Sequence, residues 1–289
     1  MGRNSQIEWT HHTFNPWWGC SKVSAACDNC YAETATVRNN LQVWGKAAPR
    51  KFADESVWKN PLKWNKQAEK LGVRHRVFCA SMSDVFEDRD DLKFPRKQLW
   101  DLIRETPHLD WLLLTKRPQN IESMIDWDVW PENIWLGATI EDQVNAGKRL
   151  PHLLKHKAKV RFLSCEPLLG DLDLTSWINV ENLQPIDWVI TGGESGDGAR
   201  PTSPNYFRNL RDQCIKNEIA FQFKQWGRWG VFLSSAMSKT IVESQIVDGE
   251  KMFLLGKKNT GRLLDGEIWD ELPQVSLVLQ TSFDELPLF

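Results

Sequence analysis

The stretch Trp111-Leu112-Leu113-Leu114-Thr115-Lys116-Arg117 sets the pattern of the chain. It is an apolar run of strand length, stopped abruptly by polar and cationic residues. Such a run suits a strand buried on both faces of a parallel sheet better than a helix, which needs more residues to hide one stripe. Working outward, the same unit recurs. Upstream lie residues 7–10, running into His11, His12 and Thr13, and residues 76–80, running into Ser81, Ser83 and Asp84. Downstream, residues 134–138 lead into Thr139 and Glu141, and residues 160–163 into Ser164 and Glu166. Residues 188–190 lead into Thr191-Gly192-Gly193-Glu194, and residues 220–223 into Lys224.

Helical stretches fit between these runs at residues 95–105, 142–156 and 206–217, the first with Arg96, Lys97 and Arg104 on its outer face. Strands alternating with helices define an α/β chain. The spacing predicts a parallel (β/α) partial TIM-like barrel of about seven strands. In such barrels the C-terminal strand ends form the active-site rim, and polar residues stand at every one of those ends here. Residues 13–65 form an insertion carrying a cysteine cluster, the barrel occupies residues 1–226, and residues 227–289 form a small C-terminal extension.

The length of 289 residues accommodates one such barrel, which needs roughly 250. Apolar residues at 41% and charged residues at 26% describe a globular chain. No apolar run approaches the ~20 residues of a membrane helix, and no apolar segment follows Met1-Gly2-Arg3-Asn4. A cytoplasmic protein with no membrane partner is expected. The net charge of −2 provides no general attraction to nucleic acid, so any such contact must be local. Sixteen tryptophans against two tyrosines read first as core filling and second as stacking faces for bases.

Cys20, Cys27 and Cys30 stand at C-x6-C-x2-C spacing, whereas Cys79, Cys165 and Cys214 are isolated. The crowded trio reads as a metal site rather than a disulfide framework. A structural zinc needs four protein ligands, and His11 or His12 is the available fourth. A [4Fe–4S] cluster held by three cysteines instead leaves one iron open to a ligand.

Here the residues resemble a known family. Trp9-Thr10 with Phe14-Asn15-Pro16-Trp17, the Gly19-Cys20…Cys27-x-x-Cys30-Tyr31-Ala32 block and Ser81-Met82-Ser83-Asp84 carry the first part of the resemblance. Leu114-Thr115-Lys116-Arg117, Glu166-Pro167-Leu168-Leu169, Gly192-Gly193-Glu194-Ser195-Gly196 and Gly261-Arg262-Leu263-Leu264-Asp265-Gly266 carry the rest. They resemble the phage-associated three-Cys-motif family of unknown function, itself similar to a divergent branch of the radical S-adenosylmethionine (SAM) enzymes.

The resemblance implies that Cys20, Cys27 and Cys30 ligate three irons of a [4Fe–4S] cluster while SAM chelates the fourth. An external electron donor would drive cleavage of SAM to a 5′-deoxyadenosyl radical that attacks the substrate. By position, Ser81, Ser83 and Asp84 would bind the SAM amino group, while Thr139, Glu141, Gly192, Gly193 and Glu194 would touch the cofactor from across the mouth. Lys116, Glu166 and Lys224 are the catalytic candidates. Two features depart from the usual radical-SAM pattern. The first cysteine gap is longer than C-x3-C-x2-C, and Asn29 stands where an aromatic residue precedes the third cysteine.

The terminal Leu286-Pro287-Leu288-Phe289 resembles the peptide with which bacterial replication and repair proteins dock on the DNA sliding clamp, with Phe283 where Gln is expected. Leu286, Leu288 and Phe289 would be the anchors on the clamp, the alternative being that the tail packs on its own barrel. The expected function is therefore a radical-SAM-type enzyme that modifies or repairs a nucleic acid or nucleotide. The alternatives are a zinc-containing nucleic-acid-binding protein and a barrel whose cluster only transfers electrons or senses redox state.

Overall fold

The computed structural model describes residues 7, 9–231 and 243–274. In chain order the strands are β1 (His12–Phe14), β2 (Trp17–Trp18), β3 (Lys51–Phe52), β4 (His75–Cys79), β5 (Leu109–Thr115) and β6 (Ile134–Thr139). They continue with β7 (Val160–Cys165), β8 (Trp188–Gly192), β9 (Ala220–Gln225), β10 (Trp229–Gly230), β11 (Ser244–Val247) and β12 (Glu250–Leu254). Seven of these form one sheet in the order β1-β4-β5-β6-β7-β8-β9, with every neighbouring pair parallel. The sheet curls into a half-barrel with β1 and β9 at its open edges, so the chain is an α/β partial barrel.

The helices are α1 (Tyr31–Arg38), α2 (Glu55–Trp58), α3 (Asn60–Leu71), α4 (Lys93–Glu105), α5 (Ile121–Met124), α6 (Gln143–Leu153), α7 (Pro204–Lys216) and α8 (Lys257–Thr260). Asp142 caps α6 by accepting from the Asn145 amide at 2.7 Å, and Ser203 caps α7 by accepting from Asn205 N at 3.2 Å. Both caps satisfy amides that lack an intrahelical partner. No helix among the described residues is long and apolar enough to cross a membrane.

Because successive strand side chains point to opposite faces, each run feeds two cores. One face packs against the helices, with Val77, Trp111, Leu113, Leu136, Leu163, Val189 and Phe221 among its members. The other face fills the barrel interior with Phe78, Leu112, Trp135, Val160, Phe162, Trp188 and Ile190. The parallel registers align Leu114, Gly137, Phe162, Trp188 and Ala220 in one interior row. Gly137 is required there, because a Cβ would lie 2.4 Å from the Phe162 ring. The next row toward the C-terminal ends is Thr139, Ser164, Ile190 and Gln222. Ile190 apart, the interior thus turns from apolar to polar from one row to the next.

The first strand differs from expectation. None of the described residues of the 7–10 run belongs to a strand, although Thr10 Oγ1 donates to Arg76 O of β4 at 2.9 Å, and β1 begins instead at His12. Thr10 N bonds back to Ile7 O at 3.1 Å, and Trp9 turns into the barrel, where its ring meets Phe78 at 4.7 Å and Trp188 at 6.1 Å. Arg96 also departs from the outer face assigned to it. It is 5% exposed and donates to the carbonyls of Val85 and Glu87 at 2.7 and 2.6 Å, while Lys97 and Arg104 stay outside.

Between β1 and β4 the chain makes the long excursion that carries the cysteines, the β2–β3 pair and α3, which packs back against β4 and β5. After β9 the strand–helix rhythm stops. β10, β12 and β11 form a separate antiparallel sheet, and residues near Trp269 return along the open edge of β9. Phe223 N donates to Trp269 O at 3.0 Å and Glu271 N to Phe221 O at 3.2 Å.

Candidate active site

At the C-terminal ends of the strands the barrel opens into a cavity of about 500 Å3. Its floor is the apolar set Ile7, Trp9, Phe78 and Leu114, and the polar row above contributes Thr139 and Ser164. Loops after the strands supply Ser81, Ser83, Lys116, Glu166, Gly193 and Glu194, and β9 itself supplies Lys224 near its end. The segment between β2 and α1 supplies Cys20, Cys27, Asn29 and Cys30 on one wall, and Tyr31, the first residue of α1, stands beside them. Residues distant in sequence are therefore brought around one space, as the strand-end rule leads one to expect.

Two of the sequence candidates are not at this cavity. Glu141 is fully buried, and its carboxylate is taken by Arg149, which also donates to Thr139 O at 2.7 Å. Burial of that charge demands such a partner, so Glu141 braces α6 against β6. Gly192 faces β9 instead of the opening, where a Cβ would lie 3.1 Å from Gln225 O.

The cysteine loop is tied down on two sides. On the first, Arg117 donates through Nη2 to Ser21 O and Oγ at 2.7 and 3.0 Å and through Nη1 to Cys20 Sγ at 3.4 Å. Its partner Asp84 accepts from Arg117 Nη1 at 2.8 Å, Thr115 Oγ1 at 2.7 Å, Phe86 N at 3.0 Å and Lys116 N at 3.1 Å. Burial works to raise the Asp84 carboxyl, but Arg117 and these hydrogen bonds outweigh it and hold the group below its ordinary range. With both oxygens occupied, Asp84 fixes the wall, leaving the neighbouring serines to face the space. Glu87 accepts from Ser21 N and Oγ at 3.1 and 2.7 Å and is paired with buried Arg50 at 2.8 Å. Burial, followed by the Asp84 charge, pushes the Cys20 thiol up to about 12.

On the second side the glycine-rich loop after β8 grips the cysteine loop. Asn29 donates to Glu194 Oε2 at 3.0 Å and to Gly198 O at 2.9 Å. Arg200 binds Glu194 with N, Nε and Nη2 at 2.8, 3.0 and 2.7 Å. It then reaches Ala25 O at 2.8 Å and Asp28 at 3.3 Å, one on each side of Cys27. The glycines make this approach possible: a Cβ on Gly196 would lie 2.4 Å from Asn29 O. Burial pushes the Glu194 carboxyl up, yet the hydrogen bonds from Arg200 and Asn29 prevail and hold it below the ordinary value. Glu194 borders the cavity, but its carboxylate serves as a latch for the cysteine loop. Arg200 pairs with Glu194 and Asp28, whereas Asp197 pairs with Arg38 and Arg228.

Across the opening, Lys224 Nζ bonds both oxygens of Glu166 at 2.8 and 2.9 Å, and Gln225 Nε2 adds a third contact at 3.2 Å. Lys116 and Lys257 also line the cavity, and among the described residues neither ammonium has a hydrogen-bond or ion-pair partner. Ser81 Oγ accepts from Asn15 at 3.1 Å. Ser83 Oγ is buried with no partner among the described residues, which is unusual unless something else occupies the space beside it. Asn15 entered the sequence reading only within the Phe14-Asn15-Pro16-Trp17 match and without a role, and Arg50, Glu87 and Lys257 were not singled out at all. No spacing motif marks them, and only the fold brings them here.

The three thiols border the same cavity. All three are free and half-buried on one wall. Among the described residues, however, no three His, Cys, Asp or Glu side chains converge closely enough to hold one metal ion. A cluster presents separate irons to separate sulfurs and does not require that convergence. The histidine ligand of the zinc alternative is absent from the site. His12 stacks on Trp64 at 4.3 Å and meets His75 Nδ1 at 3.1 Å, and His11 stacks on His75 at 5.0 Å. Burial and the Arg76 charge lower the His11 pKa to about 4. The sliding-clamp anchors Leu286, Leu288 and Phe289 lie outside the described residues.

The family described as protein of unknown function DUF5131 matches residues 4–273. The chain belongs to this family. No curated protein matches the sequence. Among solved structures, the chain is similar to a cysteine-to-serine mutant of spore photoproduct lyase, with a TM-score of 0.45 and 13% identity over 88% of this chain and 71% of that one. It is also similar to a double mutant of that lyase with bound AdoMet and dinucleoside spore photoproduct, with a TM-score of 0.44 and 10% identity over 85% and 68% of the two chains.

Proposed function

We propose that the chain is a radical-SAM-type enzyme in which Cys20, Cys27 and Cys30 hold a [4Fe–4S] cluster, SAM occupies the fourth iron, and the substrate is a nucleic acid or nucleotide. One observation carries this reading. Three cysteines at C-x6-C-x2-C spacing stand on one wall of a roughly 500 Å3 cavity at the C-terminal mouth of an open parallel barrel. When bound, cluster and SAM supply reductive cleavage of the sulfonium and hydrogen abstraction from the substrate.

The chain's own residues do the rest. Arg117 with Ser21, and Glu194 with Asn29 and Arg200, hold the cysteine loop at its two ends. Ser83, with its unpartnered buried hydroxyl, and Ser81 supply polar groups for the SAM amino end. Thr139 and Gly193 border the same space. The Ile7, Trp9, Phe78 and Leu114 floor keeps water from a reactive site. Lys116 and Lys257, unpaired among the described residues, favour an anionic substrate, and the rings of Tyr31 and Trp44 offer faces for a base. The paired Glu166 and Lys224 present a carboxylate and an ammonium to whatever enters.

The test is anaerobic reconstitution of the full chain followed by metal analysis and incubation with SAM and a reductant. About four irons per chain and release of 5′-deoxyadenosine are expected. Cys27→Ala should abolish iron binding while Cys214→Ala, on the far side of the sheet in the helix-facing core, retains it. A colourless protein with one tightly bound zinc, or a brown one that never cleaves SAM, would overturn the reading.

A further inference from the structure

The side chain touching the first cysteine is an arginine whose charge is hardly screened. Arg117 and its partner Asp84 are each 7% exposed as side chains. Water contributes little to weakening their fields at this depth. Arg117 Nη1 lies 3.4 Å from Cys20 Sγ and 2.8 Å from Asp84 Oδ2. Glu87 stands 3.8 Å from the same guanidinium and is itself bound by Arg50 at 2.8 Å. Two cations and two carboxylates therefore balance one another, yet Arg117 is the member that hydrogen-bonds the sulfur.

A loop needing only an anchor would be served by the bonds from Arg117 Nη2 to Ser21. The additional N–H···S contact places a donor and a positive charge on an atom assigned to ligate iron. The potential of an iron–sulfur cluster responds to hydrogen bonds on its sulfurs, to local charge and to solvent exposure. We propose that Arg117 and Asp84 act as opposed tuning residues for the reduction potential of the cluster on Cys20, Cys27 and Cys30. The proposal rests on the cluster reading above. Reduction adds one electron from an added reductant to the cluster, and no bond forms or breaks. The guanidinium and its N–H stabilise the more negative reduced state and raise the potential. The Asp84 carboxylate disfavours that state and lowers it.

The experiment is a redox titration of the reconstituted full-length protein, poised with dithionite through mediators and followed by the electron paramagnetic resonance of the reduced cluster. Arg117→Gln should lower the potential, so that at a fixed poise the reduced-to-oxidised ratio falls about tenfold, which is about 59 mV for one electron. Asp84→Asn should shift it upward. Arg117→Lys keeps a charge beside Asp84 and is the variant best placed to preserve folding. It gives up the forked geometry and should shift downward by less than Arg117→Gln. Opposite signs for Arg117→Gln and Asp84→Asn at parental iron content support the proposal, because a purely structural role would alter iron content without ordering the potentials by charge. Unchanged potentials, shifts of the same sign, or an Arg117→Lys protein at the parental potential would overturn it. A parent chain that takes up no cluster sinks the cluster reading itself; a parent that takes one up but ignores these substitutions sinks this proposal alone.

Discussion

Gly137 shows how much one hydrogen atom decides. The row that contains it also carries Phe162, whose ring occupies the space a methyl group would need. Gly137→Ala should destabilise the fold by about 1–3 kcal/mol through overpacking, read as a lower denaturant midpoint at unchanged slope. Adding Phe162→Leu should recover part of the loss, and a Gly137→Ala protein as stable as the parent would contradict the packing described. At this scale the sequence was informative where chemistry leaves a spacing signature. Cys20, Cys27 and Cys30 announce themselves by their intervals and stand together on one wall. Glu194 did not, because its meaning lies in Asn29, 165 residues away. A Gly-Gly-Glu triplet looks the same whether its carboxylate meets a ligand or an arginine. Ser83 was picked by its position after a strand, and its unpartnered hydroxyl is visible only in three dimensions.

Among the elements, strands were the legible ones. The run 111–114 is apolar at every position, and 160–163 at every position but the paired Arg161, because both faces are covered, and a polar residue ends each where the cavity begins. The same logic misplaced the first strand. An apolar run reports burial and not backbone shape, and Trp9 is buried as a plug inside the barrel. Arg96 misled in the reverse sense, since its charge suggested solvent while its guanidinium caps two carbonyls of the loop before α4. The loop after β8 carries a pH prediction. The Glu194 carboxyl is held below the ordinary glutamate value of 4.5. Its pairing therefore contributes full stability above that value and loses it as pH falls through the lower folded pKa. The stability gap between the parent and Glu194→Gln should be constant at neutral pH and shrink below about 4.5, as measured by denaturant titration at several pH values. A gap that widened on acidification would contradict the latch.

For the molecule as a whole, the open edge of β9 must be protected, because an unpaired strand edge invites association. The segment around Trp269 does this through backbone bonds at Phe221 and Phe223. Trp269 packs on Phe221 with ring centroids 5.9 Å apart and lies under Arg211 at 5.5 Å. Trp269→Ala should lower stability by less than the roughly 3–5 kcal/mol of a fully buried aromatic and should raise aggregation on heating, followed by light scattering. A variant with the parental melting and scattering profile would show that the edge needs no cover. The sequence suggested an extension in this region but not its role. The covering segment has no apolar signature of its own, and its bonds to β9 run largely through the main chain.

The latch between Asn29 and Glu194 also orders events during synthesis. The thiols leave the ribosome early, while the carboxylate that secures their loop follows 165 residues later. Through that interval the nascent chain carries three reactive sulfurs without half of their scaffold. Under the proposed cluster, iron loading is thus a task for a chain extended past Glu194, and termination between Cys30 and Glu194 yields a fragment that displays the thiols without the means to hold them in register.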